Sequence, residues 1–410
     1  MRTNKKPFIF VVLAIFTLAV GIGAFWAIPQ LFQPPDPHIS STETTPNSPE
    51  PAFVDIDLAC VGDILIHSPI IDAAKTDTGY DFRPIFTYVK PYLEKADLTL
   101  ANLEGSLGGP SQKYSGYPLF NCPDTIVDAL KDAGVDVLNT ANNHCFDSGE
   151  EGFFRTIDTV RGKGLGLIGT RKIKQEPSYD IKTVKGLSVG IISFGYASYI
   201  DSGLNINGNP APASIVNLLN FLDYTRLDSE LEKLRTTVAA ARTDGAQIII
   251  VHMHWGEEYQ LHSHSLQQRA AQELANLKVD VIFGSHPHVL QEATYVAAAS
   301  LDHKTPVYYS LGNFISNQRV ETLNNINTEH GLIAQITLRH HSDGRNEILN
   351  SSYIATWVNK KTGAKTLYEI IPVAQALDDL NAFPNLVPAD RSRLLSCQES
   401  VENLMAGIKP

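Results

Sequence analysis

Short apolar runs alternate with amphipathic stretches along most of the chain. The apolar runs resemble buried strands, and the stretches between several of them, such as TIVDALKDAG and LQQRAAQELANLK, have helical spacing. The runs are VDIDLACVG, ADLTLANLEG, VDVLNTANNH, SVGIISFG, QIIIVHMHWG, VDVIFGSH and PVYYSLGNF. Strands that alternate with helices predict an α/β domain with helix-covered sheets. From about Thr328 three alternating segments predict antiparallel strands, followed by a polar helix from about Asp390 to Met405.

The N-terminal segment has a different composition. The stretch from Pro7 to Ile28 carries no charge, and three basic residues precede it. An apolar run of about 20 residues can cross a bilayer as a helix, and the preceding charges keep its tip cytoplasmic. We therefore expect residues 1–29 to be an uncleaved signal anchor, although a cleaved signal peptide is the alternative. Residues 30–52, rich in Pro, Ser and Thr, predict a linker to an extracytoplasmic domain of residues 53–327, which residues 328–410 complete.

Charge and cysteine content exclude some classes of protein. The formal net charge is −11 at pH 7, and the sequence shows no basic stripe of the kind that contacts nucleic-acid phosphates. The four cysteines have no zinc-finger or CxxC spacing. An exported location permits a disulfide without requiring one.

Polar side chains collect where the predicted strands end. Ligand sites in open α/β sheets lie beyond the carboxyl ends of the strands, so these side chains should converge. In VIFGSHPHV, Pro287 disfavours a helical conformation at His286, so we expect an extended chain with two imidazoles facing one point. The residues that we expect to converge are Asp63, Asn102, Glu104, Asn143, His144, His252, His254, His286 and His288.

This set of side chains suggests a metal centre. Nitrogen and oxygen ligands without paired thiolates suit Zn, Mn or Fe. One ion needs three or four protein ligands, and the set is larger, so two divalent ions are plausible. Glu104 is the candidate bridging carboxylate between them. We expect the later histidines, His330, His340 and His341, to be surface or structural residues.

Six segments between about Asp55 and Phe314 carry a family resemblance. They are CVGDILIH, ANLEG, LFNCPDTIVDALKDAGVDVLNTANNHCFDSGEEGFFRTID, IIIVHMHWGEEYQ, FGSHPHVLQ and YYSLGNF. In this order they resemble the CapA family of poly-γ-glutamate capsule synthesis, and an ordered set is far more specific than any one motif. That family is related to the calcineurin-like metallophosphatases. The resemblance therefore implies a four-layer α/β/β/α metallophosphatase-like sandwich with a dinuclear metal site.

The resemblance also implies roles for individual residues. Asp63 is the first-strand aspartate, Glu104 the bridging carboxylate and Asn143 an amide ligand. His144 resembles the catalytic histidine that assists the leaving group. Leu65 stands where the phosphatases carry a histidine, so a histidine two positions later becomes an additional candidate ligand. The implied ligands are completed by His67, His254, His286 and His288.

Several neighbouring residues are expected to support this site. Asp147 should orient His144, and His252 should lie behind the ligands or in the core. Asn313 is expected to line the cleft and bind substrate there. Three further residues are candidate cleft residues with equally ordinary packing explanations: Trp255, Glu258 and Tyr259.

The sequence and the resemblance together predict a membrane-anchored protein of capsule or envelope polymer metabolism. It would act on or beside anionic poly-γ-glutamate, with membrane synthase subunits as possible partners, through metal-activated water attacking a phosphoester or an amide. Two alternatives stay open. The chain is a phosphoesterase of another envelope substrate, or a non-catalytic synthase subunit in which the metal is structural. The residues supply only the metal chemistry, because ligands do not define a substrate.

Overall fold

The computed structural model describes residues 53–200, 203–300 and 302–408. The predicted signal anchor and linker lie outside the described residues. Among the residues that the structure describes, no helix has the length and apolar character needed to cross a membrane. The chain from Pro51 to Pro410 forms one unit.

The described chain contains strands and helices in alternation. The strands are β1 (Phe53–Ile64), β2 (Lys75–Thr76), β3 (Gly79–Tyr80), β4 (Leu98–Leu103), β5 (Val137–Asn139), β6 (Gly166–Ile168), β7 (Tyr179–Val184), β8 (Leu187–Tyr196), β9 (Ser198–Ile200), β10 (Gly203–Ile206), β11 (Asn209–Pro210), β12 (Phe221–Leu222), β13 (Ile248–His254), β14 (Val281–Ser285), β15 (Ala293–Ala297), β16 (Lys304–Tyr308), β17 (Asn313–Ile315), β18 (His330–His341), β19 (Asn346–Lys361) and β20 (Leu367–Pro372). The helices are α1 (Ser68–Ala74), α2 (Lys90–Leu93), α3 (Thr125–Asp132), α4 (Gly149–Gly162), α5 (Ala213–Val216), α6 (Leu227–Thr243), α7 (Ser265–Asn276), α8 (Val320–Leu323), α9 (Val373–Asp378) and α10 (Arg391–Leu404).

Two large mixed sheets organise these elements. Sheet A has the order β20–β19–β18–β1–β4–β5–β6, and β17 also pairs with β1. Its β1, β4, β5 and β6 run parallel, whereas β18, β19 and β20 are antiparallel additions next to β1. Sheet B has the order β12–β8–β13–β14–β16–β15, with β7 antiparallel to β8. The parallel strands of each sheet therefore end at one edge.

Alternating side chains explain why the two sheets pack face to face. In β1, Ile56 and Leu58 pack in one buried cluster with Ile191 and Ile250 of sheet B. The intervening β1 residues face the opposite way, into a cluster that includes apolar residues of α3 and α4. The outer face of sheet B likewise packs against α6 and α7. The layer order is helix, sheet, sheet, helix, because strand side chains alternate between the two faces of a sheet.

Most of the predicted elements are present. The seven apolar runs contain strands, and the C-terminal segments form β18, β19 and β20 followed by α10, so the α/β prediction is confirmed. The predictions omitted β6, β7, β15 and the small sheet of β9, β10 and β11. All four cysteines are buried and free. His330 is fully buried, as a structural histidine would be, while His340 and His341 are half-buried.

Candidate metal centre

Carboxylates and imidazoles meet where the parallel strands of the two sheets end. Asp63 is the penultimate residue of β1 and Glu104 directly follows β4. From sheet B, His254 ends β13, while His286 and His288 follow β14. All five side chains are buried. Residues separated by up to 225 positions thus come together at one edge, as the rule for parallel strands leads us to expect.

Three overlapping groups of ligand atoms form at this edge, each with all of its atoms within 4.8 Å of one another. Glu104 belongs to two of the groups, and His286 and His288 belong to two each. A carboxylate shared by two ligand groups is what a bridge between two ions requires. The groups are Asp63–Glu104–His288, Glu104–His254–His286 and Glu258–His286–His288.

The carboxylate of Glu104 tests whether a cation fits this centre. Its Oε1 atom is buried and has no hydrogen-bond partner among the described residues. Oε1 lies 3.6 Å from Nε2 of His254 and 3.7 Å from Nε2 of His288. Burial, together with the nearby charge of Asp63, raises the pKa of Glu104 well above its ordinary value. A divalent cation would stabilise the buried charge of Glu104 and offset its repulsion by Asp63. The nitrogen and oxygen donors are also ligands that such a cation prefers, so the residues fit a metal centre.

Hydrogen bonds fix the carboxylate of Asp63. Its Oδ1 accepts from Nδ2 of Asn102 at 2.8 Å, and its Oδ2 lies 3.1 Å from Nδ1 of His288. The backbone N–H of His286 donates to the same Oδ2 at 3.2 Å. Burial acts to raise the pKa of Asp63, but the contacts with His288 and Asn102 outweigh it, and the pKa lies below its ordinary value. Asp63 is therefore held as a carboxylate, the form that binds a metal.

The imidazoles of His254 and His286 are held in the neutral form. Nε2 of His254 lies 2.7 Å from Oδ1 of Asn143, and its Nδ1 lies 3.0 Å from Oγ of Ser285. Burial lowers the pKa of His254 well below its ordinary value and that of His286 to about 3. Nε2 of His286 lies 3.0 Å from the hydroxyl of Tyr196. Neutral imidazole is the form that binds a metal.

The backbone around the histidine pair differs from the prediction. The extended conformation expected for His286 and His288 is wrong, because φ is +100° at His286 and +58° at His288. Pro287 disfavours the right-handed helical region, which positive φ also avoids. The strand ends at Ser285, and the chain then bends so that the His286 N–H reaches Asp63. The two rings still converge, with centroids 5.7 Å apart.

Asp147 occupies the position that orienting His144 requires. Its Oδ2 lies 2.7 Å from Nδ1 of His144 and accepts the backbone N–H of Phe120 at 2.7 Å. The Phe120 ring meets the imidazole edge to face, with centroids 4.7 Å apart. Burial raises the pKa of Asp147, although the bond to His144 acts against this. Because Nδ1 is engaged, Nε2 is the nitrogen of His144 that can serve a substrate.

Two predicted site residues, the candidate ligand His67 and the candidate cleft residue Asn313, make other contacts in the structure. His67 belongs to none of the groups found among the described residues. Its Nδ1 accepts the backbone N–H of Asn317 at 3.3 Å, and burial lowers its pKa to about 4. Asn313 is fully buried, and its Nδ2 donates to the carbonyl of His288 at 3.2 Å. Asn313 therefore braces the histidine loop from behind instead of lining the cleft.

Two buried amides, Asn139 and Asn142, and one tyrosine, Tyr196, support the centre without having been predicted as site residues. Oδ1 of Asn102 accepts from Nδ2 of Asn139 at 2.8 Å and from Nδ2 of Asn142 at 3.2 Å, so an amide network backs Asp63. Tyr196 ends β8 beside His286. The strand-end rule applies to Tyr196 as well, and the ANNH segment contains Asn142. His252 is buried, and neither ring nitrogen has a partner among the described residues.

A cleft of about 280 Å³ opens beside these groups. His67, His144 and His288 line it, together with Glu258 and Tyr259. Trp255 is instead buried, and its indole N–H donates to the carbonyl of Tyr309. Two larger cavities, each about 530 Å³, lie away from the ligand groups. The cleft is thus the cavity through which a substrate could reach the candidate metal centre.

Comparison with solved structures finds weak similarities. One is the NAD nucleotidase NadN of Haemophilus influenzae, which is 14% identical with a TM-score of 0.44. The match covers 86% of this chain and 68% of that one. Another is a purple acid phosphatase from yellow lupin, 11% identical with a TM-score of 0.33, covering 73% and 53% of the two chains.

Sequence comparison identifies nearer relatives. The capsule biosynthesis protein CapA of Bacillus anthracis is 27% identical over 266 residues, which are 64% of this chain and 60% of that protein. The PGA biosynthesis protein CapA of Bacillus subtilis (strain 168) is 26% identical over 295 residues, 70% of this chain and 69% of that protein. Residues 57–318, more than half of the chain, match the family model described as bacterial capsule synthesis protein PGA_cap. The resemblance to the CapA family is confirmed, and the chain belongs to the bacterial capsule synthesis protein PGA_cap family.

Proposed function

We propose that this chain is a hydrolase of capsule or envelope polymer metabolism that depends on two divalent ions. The observation that carries the proposal is the buried, unpartnered Oε1 of Glu104, which lies between Nε2 atoms of His254 and His288. Burying a carboxylate oxygen without a hydrogen-bond partner destabilises the fold. Glu104 belongs to two ligand groups, and bridging two metal ions would give this oxygen the partners that it lacks. The helix, sheet, sheet, helix order supports our view that the fold is a metallophosphatase-like sandwich.

The ions would be held by residues from both sheets. Asp63 and Glu104 would supply carboxylate oxygens, and Asn143 an amide oxygen. Bound divalent ions, Mn, Zn or Fe, supply Lewis acidity to a scissile phosphoester or amide and lower the pKa of a coordinated water. The remaining ligands would be the imidazoles of His254, His286 and His288.

The chain's own residues would handle the leaving group. His144 lines the cleft, and Asp147 engages its Nδ1 at 2.7 Å. A proton on Nε2 could therefore be delivered to the departing oxygen or nitrogen, while Asp147 stabilises the charged imidazole. The burial of the surrounding side chains limits the access of bulk water to this step.

Family membership supports the proposed substrate class. The two Bacillus relatives are a capsule and a PGA biosynthesis protein, and we propose poly-γ-glutamate or a related envelope polymer as the substrate or neighbour of this chain. The matched region spans 60% of the Bacillus anthracis protein, so contact with membrane synthase subunits is likewise a proposal. We also propose that the uncharged stretch from Pro7 to Ile28 anchors the domain outside the cytoplasmic membrane.

The test combines metal content with turnover. Full-length chain purified in detergent and loaded with Mn²⁺ or Zn²⁺ should bind about two ions. It should hydrolyse bis-p-nitrophenyl phosphate or γ-glutamyl chains. Glu104→Gln should lose bound metal and turnover together, whereas Glu94→Gln, at an exposed position, should lose neither. In the metal-free state Glu104→Gln should unfold at an equal or higher temperature, because a buried unpaired carboxylate costs roughly 1–3 kcal/mol.

The alternative outcomes separate the rival functions. Metal bound without turnover of either substrate would contradict the hydrolase and favour a non-catalytic synthase subunit. Cleavage of the ester alone would favour an envelope substrate other than poly-γ-glutamate. Glu104→Gln that keeps its full metal content would remove Glu104 from the proposed bridge.

A further inference from the structure

The cleft beside the candidate metal centre is lined by a glutamate, Glu258, but by no lysine or arginine among the described residues. Its walls are aromatic at Tyr117, Phe120 and Tyr259, and they carry amides at Asn317 and Gln318. No lysine or arginine occurs among the described residues that line it. Sites that hold an anion with two or more negative charges generally supply arginine or lysine for it. The walls of this cleft supply neither.

The nearest basic side chains in sequence or contact are engaged elsewhere. Arg319 follows a cleft residue, but its guanidinium is buried, donates to the carbonyl of Val358 at 2.8 Å and lies 3.2 Å from the carboxylate of Glu329. Lys360 donates to Oδ1 of Asn317 at 2.9 Å. Arg319 is thus paired with a carboxylate and Lys360 is bonded to an amide, and neither cation lines the cleft.

The acidic side chain that lines the cleft, Glu258, lies close to two of the candidate metal ligands, His286 and His288. Glu258 lies in the turn after β13 and lines the cleft. One of its carboxylate oxygens and a ring nitrogen from each of His286 and His288 lie within 4.8 Å of one another. A substrate group that reaches those imidazoles or an ion held by them must therefore approach a carboxylate. Glu258 is an exposed residue, so solvent screens part of its charge, and the repulsion of a second anion that reaches the imidazoles is reduced but not removed.

We infer that Glu258 makes this site selective for a phosphodiester, which carries one negative charge, over a phosphomonoester, which carries close to two. A phosphomonoester has its second pKa near 6, so it is largely a dianion at neutral pH. The inference rests on the proposed hydrolase function. It also predicts that the carboxylates along a poly-γ-glutamate chain are disfavoured within the cleft, so of the two roles proposed above for that polymer the inference favours neighbour over hydrolysed substrate. Aromatic or amide groups beside the diester fit the walls of the cleft.

The reaction supplies a second use for the same carboxylate. When water hydrolyses a diester, the water oxygen forms a new bond to phosphorus and the bond from phosphorus to the leaving oxygen breaks. The leaving oxygen takes a proton from His144. Of the two protons of the water, one restores His144 and the other is released to solvent, so an alcohol and a phosphomonoester dianion result. The product carries more negative charge than the substrate. Glu258 therefore favours its release as well as excluding it from binding.

The experiment compares two substrates and two adjacent glutamates. Full-length chain loaded with Mn²⁺ is assayed on bis-p-nitrophenyl phosphate and on p-nitrophenyl phosphate, as wild type, Glu258→Gln and Glu257→Gln. Glu257 is exposed and does not line the cleft. We expect Glu258→Gln to lower the diester to monoester ratio of kcat/KM by about tenfold or more, mainly by raising kcat/KM for the monoester. Glu257→Gln should leave the ratio unchanged.

Two further measurements test the charge selectivity of Glu258 independently of whether the chain is a hydrolase. Calorimetry measures the binding of diphenyl phosphate and phenyl phosphate in a His144→Ala background, where turnover is suppressed, and elemental analysis gives the metal content of each variant. Glu258→Gln should bind phenyl phosphate about tenfold more tightly and keep its metal. Unchanged binding and an unchanged ratio at full metal content would overturn the inference. So would metal loss in Glu258→Gln, because Glu258 would then be a ligand. Selective binding without any turnover would contradict only the hydrolase.

Discussion

His144 is held from two sides at the edge of the cleft. Asp147 engages Nδ1 at 2.7 Å, and the ring of Phe120 packs against the imidazole. The same Asp147 oxygen accepts the backbone N–H of Phe120. One buried carboxylate thus fixes both the histidine and the loop beside it. Such a partner sets the ring orientation and the tautomer, so that one nitrogen faces the substrate.

Replacing Asp147 should therefore impair turnover without removing metal. We expect Asp147→Asn to lower kcat by about 10- to 100-fold, because the amide cannot stabilise a charged imidazole. Elemental analysis should find the same metal content as in wild type. Asp158→Asn, which removes an exposed partner of Lys172, is the matched control and should retain full activity. Metal loss in parallel with activity would show that Asp147 acts on the ligand groups instead of on His144.

Single residues show how far sequence predicts the site. Asp63, Glu104 and the three histidines of sheet B were predicted because polar residues at strand ends converge in any parallel sheet. The surroundings of His67 could not be predicted, since its Nδ1 accepts the backbone N–H of Asn317, which is 250 residues away. The positive φ values at His286 and His288 could not be predicted either. Pro287 disfavours the right-handed helical region for His286, but it does not determine which of the other backbone regions is adopted.

Strand β18 begins with a histidine in an apolar setting. His330 opens the strand opposite Trp357 of β19 and is fully buried. Neither of its ring nitrogens has a partner among the described residues. Burial lowers its pKa to about 4, so the folded domain keeps it neutral. In the unfolded chain the same imidazole accepts a proton below its ordinary value of about 6.5.

This difference predicts how acid affects stability. Between pH 6.5 and 4 the unfolded state binds a proton at His330 that the folded state does not, so the free energy of unfolding should fall as pH falls. The contribution of His330 is roughly 3 kcal/mol over that range. His330→Phe should reduce the slope of unfolding free energy against pH by about one proton. Leu261→Phe, at an exposed position whose side chain does not titrate, should leave the slope unchanged. Denaturant unfolding at pH 4 to 7 checks this, and equal slopes would contradict it.

The helices and strands that could be predicted are those whose own pattern of apolar and polar residues is enough to identify them. The long helices α4, α6 and α7 carry clear amphipathic spacing, and the apolar runs of β1, β13 and β14 fill both faces of a buried strand. The strands that escaped prediction depend on neighbours. Half-buried β7 is formed by pairing with β8, and β15 by pairing with β16. Such strands follow from tertiary context more than from their own residues.

At the scale of the whole molecule, the N-terminal segment should determine where the protein resides. We expect the full-length chain to sediment with membranes and to resist extraction by alkaline carbonate. The double variant Leu13→Arg and Leu18→Arg should shift it to the soluble fraction, because each mid-membrane arginine costs about 2.5–3.5 kcal/mol. Ser40→Arg with Ser41→Arg, in the linker, is the matched control. Full-length chain found mainly in the soluble fraction would contradict the signal anchor.

The position of β1 has a consequence for the order of assembly. The strand that carries Asp63 has β4 on one side and β18 on the other, where β17 also pairs with its last residues, so its long antiparallel partner is made some 270 residues later than β1 itself. Until ribosomes have delivered His330–His341, most of that side of β1 has no partner for its backbone amides, and a free strand edge invites association with other chains. The central strand of sheet A therefore becomes fully paired only late in synthesis. A nonsense mutation between residues 318 and 330 would leave every candidate ligand encoded, yet β1 would lack its antiparallel neighbour.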